Sequence, residues 1–236
     1  MIRTIFWFIY FWLYLIYLIP AMIRVSMLDK SGRTEERDRI VNEVAARWSK
    51  DMLQMAGVRY KVSGAENIPD EAVVFVCNHQ GNFDIPILLA AIEKPKAFVA
   101  KTELAKVPLL STWMKYLKCV FMDRSDVRQS LKTISEASVY VKQGYSMVIF
   151  PEGTRSKGKD MLDFKPGSMK LALKARAPIV PVSINGSYKI MEERKFIIRP
   201  GTVEITISEP ISTKDLSKGE ESNLSHIVKE IIQYNL

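Results

Sequence analysis

Short apolar runs rich in β-branched and aromatic residues alternate with helix-patterned stretches from Val58 onward, and this alternation limits the fold more than any other feature of the 236-residue chain. The runs are Val58–Val62, Val73–Cys77, Lys96–Ala100, Cys119–Met122, Met147–Phe150 and Ile179–Ile184. Between them, Ile85–Glu93, Leu104–Leu117 (interrupted near Pro108), Val127–Lys142 and Gly167–Ala175 carry helical patterning. Strands joined through helices need crossover connections, which predicts an α/β fold with a mostly parallel central sheet flanked by helices. Phe196–Ile198 and Val203–Ser208 read as a last strand pair joined at Pro200-Gly201, with a closing helix over residues 222–235.

The N-terminus is built differently. Residues 4–23 carry no charge and lie between Arg3 and Arg24. A helix of about 20 apolar residues is long enough to cross a bilayer core. However, Trp7, Tyr10, Trp12, Tyr14 and Tyr17 are spread along the segment instead of gathered at its ends. That distribution suits a monotopic helix lying in one leaflet, on the cytoplasmic face of the cell membrane, better than a spanning one. No small-residue cleavage site of the kind that ends a signal peptide follows. Over residues 33–57, Ile40, Val44, Trp48, Met52 and Met55 form one helical stripe, opposite Arg37, Glu43, Arg47 and Lys50, and Gly57 is a plausible stop. The stripe fits either packing on the α/β domain or a continuation of the membrane surface. The expected division is a two-helix membrane-associated module over 1–57 and an α/β domain over 58–236.

Net charge is +8 with a pI near 9.4, so the natural partners are anions such as phosphates and anionic lipid surfaces. Lys and Arg are dispersed among Asp and Glu without a basic stripe, which argues against nucleic acid. Cys77 and Cys119 both sit in apolar runs, which points to buried thiols in a reducing setting. With two histidines, His79 and His226, and no ligand-spaced cysteines, no metal site is expected.

Three segments place polar residues directly after a run of strand type. Val73–Cys77 leads into Asn78-His79-Gln80-Gly81-Asn82-Phe83-Asp84, where turn chemistry at Gly81-Asn82 and an N-cap-like Asp84 before Pro86 predict a strand–turn–helix junction. Such a turn can fold the Asp84 carboxylate onto His79. One oxygen would then cap the helix and the other orient the imidazole as a general base. Met147–Phe150 leads into Pro151-Glu152-Gly153-Thr154-Arg155-Ser156, with a phosphate-matching guanidinium at Arg155 and hydroxyls beside it. Val120-Phe121-Met122 leads into Asp123-Arg124. Alone, the second segment also reads as a tight turn with a surface ion pair, and the third as a local salt bridge. Together they converge, because parallel strands share one carboxyl edge where ligands bind. A general-base dyad beside cations, on a membrane-docked chain, points to an enzyme that processes a phospholipid.

These residues resemble the glycerolipid acyltransferases. Asn78–Asp84 looks like their NHX4D box, Phe121–Arg124 their second block, Phe150–Ser156 their third and Val180-Pro181-Val182 their fourth, covering roughly residues 73–184. The wording of the third block is closer to the bacterial 1-acylglycerol-3-phosphate acyltransferases than to the glycerol-3-phosphate enzymes. Lys118 departs from the pattern, since the second block often begins with Gly. The resemblance implies that His79, oriented by Asp84, deprotonates the 2-hydroxyl of lysophosphatidic acid for attack on acyl-CoA or an acyl carrier protein thioester, giving phosphatidic acid. It implies substrate contacts at Lys101, Arg124, Glu152, Gly153, Thr154 and Arg155, with backbone N–H groups around Gly153 a candidate oxyanion hole, and no cofactor. Another lyso-lipid as acceptor, or a non-catalytic adaptor binding anionic lipids, are the alternatives.

Overall fold

The computed structural model describes residues 1–236. Its centre is a seven-stranded sheet of β1 (Val58–Ser63), β2 (Val74–Cys77), β3 (Lys96–Lys101), β4 (Val120–Met122), β5 (Ser146–Ile149), β6 (Ile179–Asn185) and β7 (Gly201–Ile207), in the order β1-β7-β6-β2-β5-β3-β4. All pairings are parallel except β6 with β7. β2 and β5 are buried throughout, as expected of central parallel strands covered on both faces. Strands β2 to β6 therefore share one carboxyl edge, while β7 and β1 run the other way.

The crossovers are α4 (Asp84–Ala91), α5 (Leu110–Tyr116), α6 (Val127–Lys142) and α7 (Lys170–Ala175), with α8 (Lys218–Tyr234) closing the chain. Right-handed crossovers put α4 on one face of the sheet and α6 and α7 on the other, because β2→β3 and β4→β5 advance in opposite directions. Ser217 and Glu220 form a capping box that starts α8, and Asp126 accepts the Arg128 and Gln129 N–H groups at the start of α6. Phe196–Ile198 is not a strand: β7 pairs with β1 and β6, and the residues before it form a loop.

The uncharged N-terminal segment forms two helices, α1 (Ile2–Tyr17) and α2 (Ile19–Lys30), bent by 42°. Pro20 accounts for the break, since it removes an N–H and its ring crowds the carbonyl four residues back. No single helix is long and apolar enough to cross a membrane; α1 and α2 pass that test only together. α3 (Thr34–Ala56) ends at Gly57, whose φ of 73° supplies the left-handed stop. Its buried stripe is Arg37, Val41, Ser49, Met52, Leu53 and Ala56, turned from the expected one so that Met55 is exposed. Arg37, expected on the outer face, is buried between Asp29 and Asp38, which neutralise it.

The aromatic residues of α1 divide between its two faces: Trp7 and Tyr14 turn inward, while Trp12 and Tyr17 are exposed. Trp7 Nε1 donates to the Met52 carbonyl at 3.0 Å, Tyr14 Oη donates to Asp51 at 2.6 Å, and Arg3 donates to the Ala56 carbonyl at 3.0 Å. These polar groups meet α3, not lipid headgroups. Trp7, Met52, Leu53 and Ala56 join the same core cluster as the central strands. The outer face of α1 is left apolar and mixed, with the aliphatic Ile2, Ile5, Ile9, Leu13 and Ile16 and the aromatic Phe6, Phe8, Trp12 and Tyr17 exposed.

At the opposite end of the sheet, Lys96 is 5% exposed, and its Nζ donates to the carbonyls of Ile92 at 2.6 Å and Lys94 at 3.2 Å. Burial lowers its pKa to about 7. The unfolded chain keeps this proton up to roughly pH 10, so the group makes folding more favourable as pH rises from about 7 towards 10. A thermal midpoint that climbs between roughly pH 7 and 9 in the wild type, but less in Lys96→Met, is expected; parallel curves would show that Lys96 does not titrate there.

Candidate active site

β2 ends at Cys77, and the next residue ties the chain to its neighbour. Asn78 Nδ2 donates to the Ile184 carbonyl at 2.9 Å, and its Oδ1 accepts the Ile184 N–H at 2.7 Å, extending the β2–β6 pairing by a side chain. His79 thereby emerges at the carboxyl edge. Its ring stacks on Phe150, with centroids 4.0 Å apart and planes 20° apart. Its Nδ1 lies 2.7 Å from Asp84 Oδ2. The carboxylate only accepts, so Nδ1 carries the proton and Nε2 presents a lone pair.

Asp84 is fully buried and is the first residue of α4, not its cap. Oδ2 also accepts the N–H groups of Gln80 at 2.8 Å and Gly81 at 2.9 Å, and Oδ1 accepts from Ser187 Oγ. The carboxylate thus rigidifies the turn preceding the helix. Gln80 Oε1 accepts the Gly186 N–H at 2.9 Å, which locks the same turn to the segment after β6. Cys77 points into the core, where burial pushes its thiol well up, so it offers no nucleophile.

Glu152 corrects a sequence expectation. It is 1% exposed, with Oε1 accepting the His79 N–H at 2.6 Å and Oε2 the Leu162 N–H at 2.8 Å. Burial raises its pKa, opposed by those two hydrogen bonds. Both oxygens therefore hold backbone, and Ser156 N–H adds a bond to the His79 carbonyl at 2.7 Å. Gly153 turns the chain at φ 73°, but its N–H donates to the Phe150 carbonyl at 3.1 Å and is not available as an oxyanion donor. Thr154 is exposed beside it.

Arg155 lies next to the dyad, half-buried, its guanidinium 3.2 Å from Glu192 Oε1. The same Glu192 oxygen accepts the Asn82 N–H at 2.8 Å, while the buried Oε2 has no hydrogen-bond partner. Desolvation raises the Glu192 pKa, with the Asn82 N–H and Arg155 opposing it. A Cβ at position 81 would stand 2.4 Å from Oε2, so a side chain there would have to displace the end of the Glu192 side chain. Lys101 is exposed at the end of β3, 2.6 Å from Glu103, and Arg124 is exposed after β4. Desolvation lowers the Arg124 pKa, opposed by Glu103. At about 4.8 Å per strand, Lys101 and Arg124 stand roughly 10 and 14 Å along the edge from His79. No hydrogen bond or ion pair joins them to Arg155.

Two members of this cluster, Ser187 and Glu192, escaped the sequence reading. Ser187 carried a signal, since Asn185-Gly186-Ser187 follows a strand-like run just as His79 and Arg155 do. Glu192 carried none.

The stretch of chain that carries His79, Asp84 and Arg155 matches a known family. The model of a family described as Acyltransferase covers residues 59–185. The chain belongs to the acyltransferase family. The probable 1-acyl-sn-glycerol-3-phosphate acyltransferase of Mycoplasma pneumoniae is 33% identical over 193 residues, covering 77% of this chain and 73% of the relative. The 1-acyl-sn-glycerol-3-phosphate acyltransferase of Borreliella burgdorferi is 30% identical over 184 residues, covering 78% and 74%. The crystal structure of the 1-acyl-sn-glycerophosphate acyltransferase of Thermotoga maritima superposes with a TM-score of 0.83 at 30% identity, covering 99% of this acyltransferase and 95% of that chain.

Proposed function

We propose that this acyltransferase moves an acyl group from acyl-CoA or an acyl carrier protein thioester to the 2-hydroxyl of lysophosphatidic acid, giving phosphatidic acid. The observation that carries the reading is the His79–Asp84 pair, with Nε2 unengaged, beside Arg155. His79 Nε2 takes the hydroxyl proton as the oxygen attacks the thioester carbonyl. The new C–O bond forms, the C–S bond breaks, and the imidazolium returns its proton to the leaving thiolate. The ionised Asp84 stabilises the imidazolium in between. No acyl-enzyme is needed, since both cysteines are buried and unactivated. The names of the relatives support the acceptor. Acyl transfer to lysophosphatidic acid by the purified enzyme, with CoA and carrier-protein donors compared and other lyso-lipids as controls, tests it; no transfer to lysophosphatidic acid with either donor would refute it.

In this reading Arg155 holds the acceptor phosphate, leaving Glu192 to do so, and Lys101 and Arg124 extend the cationic edge outward. Arg155→Ala should raise KM for lysophosphatidic acid by roughly 10–150-fold, the equivalent of one charge-assisted hydrogen bond, with a much smaller effect on the donor. Equal effects on both substrates would make Arg155 a structural residue.

The apolar outer face of α1, Trp12 and Tyr17 included, and the basic residues Arg3 and Arg24 support a monotopic seat on the cytoplasmic leaflet. A cysteine replacing Ile2, in a variant lacking Cys77 and Cys119, should react with an impermeant maleimide only after sealed spheroplasts are opened. Labelling in sealed spheroplasts would show a spanning segment.

A further inference from the structure

We propose that the loop Arg194–Arg199, between β6 and β7, is a second membrane-inserting element, with Phe196 entering the acyl region of an anionic bilayer. The inference rests on the reading of α1 as a bilayer-facing helix. The loop replaces the expected strand with two successive left-handed residues, Lys195 at φ 48° and Phe196 at φ 72°. For a bulky aromatic this conformation is an outlier that persists only where its surroundings impose it. Here they do: the Lys195 N–H donates to the Glu192 carbonyl at 3.3 Å, that of Phe196 to Met191 at 3.0 Å, and that of Ile197 to Arg194 at 3.1 Å.

The loop has an apolar core available, with Ile190, Met191 and Ile198 all buried. Phe196 is nevertheless turned out of it and is 56% exposed. Its flanks select the partner. Lys189, Arg194, Lys195 and Arg199 are all exposed around it, and the one exposed carboxylate in the stretch, Glu193, lies 3.9 Å from Arg194. Cations ringing a single projecting aromatic fit anionic headgroups over acyl chains. The loop also continues the surface of α1, because the Ile198 N–H donates to Thr4 Oγ at 3.0 Å, next to the exposed Ile2 and Ile5. Glu192, the partner of Arg155, accepts the first of the loop's backbone bonds, so insertion would set the phosphate-binding end of the site at headgroup level.

The test uses full-length enzyme carrying Phe196→Cys, Ile9→Cys or Val127→Cys, labelled with an environment-sensitive fluorophore. Cys77 and Cys119 are buried and stay unlabelled in the folded protein. Val127, 73% exposed on α6 across the sheet from α1, serves as the control. Vesicles of phosphatidylcholine and phosphatidylglycerol carrying doxyl-lipid quenchers should quench the labels at 9 and 196 but not at 127. Phe196→Asp should weaken partition into these vesicles about tenfold, and Phe196→Trp should preserve it. A quenched label at 9 with a solvent-like label at 196 would overturn the loop proposal and leave α1 as the membrane contact. No quenching at either position would overturn both. Equal quenching at 127 would mean non-specific adsorption and would also overturn the proposal.

Discussion

His79→Ala is expected to lower the rate of acyl transfer by about 10²–10⁴-fold, the usual worth of a positioned general base, with little change in thermal midpoint. The side chain of His79 is 15% exposed and packs on Phe150 by one face. What anchors this stretch of chain is the His79 backbone, whose N–H goes to Glu152 and whose carbonyl accepts from Ser156. Alanine keeps both bonds. Rate assays at saturating lysophosphatidic acid, alongside thermal melts, separate the two effects. Turnover within tenfold of wild type would place the base elsewhere.

Asp84→Asn is expected to cost about 10²-fold in kcat while the fold survives, for a reason specific to its partners. Three donors converge on Oδ2, and only the Ser187 hydroxyl meets Oδ1. An amide can keep its oxygen towards the three donors and turn its NH2 to Ser187, whose hydroxyl rotates from donor to acceptor. The tautomer of His79 is then retained, and what disappears is the negative charge that stabilises the imidazolium, roughly 2–3 kcal/mol. Asp84→Ala removes the shared acceptor and should also lower the thermal midpoint by several degrees. Wild-type kcat in Asp84→Asn would mean that orientation alone is required of this residue.

Periodicity and local chemistry carried most of the scaffold. The strand runs, the α6 and α8 helices and the Gly57 stop lie in the sequence because each follows from a local preference: alternation, capping or a left-handed glycine. The meeting of His79 with Asp84 was legible for the same reason. Five residues of separation across a turn is a local problem, and the parallel sheet then brings Arg155 to the same edge. Phe196–Ile198 misled because a short apolar run has the composition of a strand whether or not a partner lies beside it. β7 already has both of its neighbours, β1 and β6, so none remained.

What only the tertiary structure decided are contacts between residues far apart in the chain. Ser187 reaches Asp84 across 103 positions, Glu192 reaches Asn82 across 110, and Ile184 meets Asn78 across 106. The inward turn of Trp7 and Tyr14 belongs with them, since the spacing of aromatics on a helix fixes which residues share a face but not what covers it. The same limit explains Glu152, which reads as a site carboxylate until burial shows both oxygens on backbone N–H groups. Side-chain roles of this kind depend on which strands are neighbours, and hydrophobic patterning, which measures burial without naming the partner, leaves strand order open.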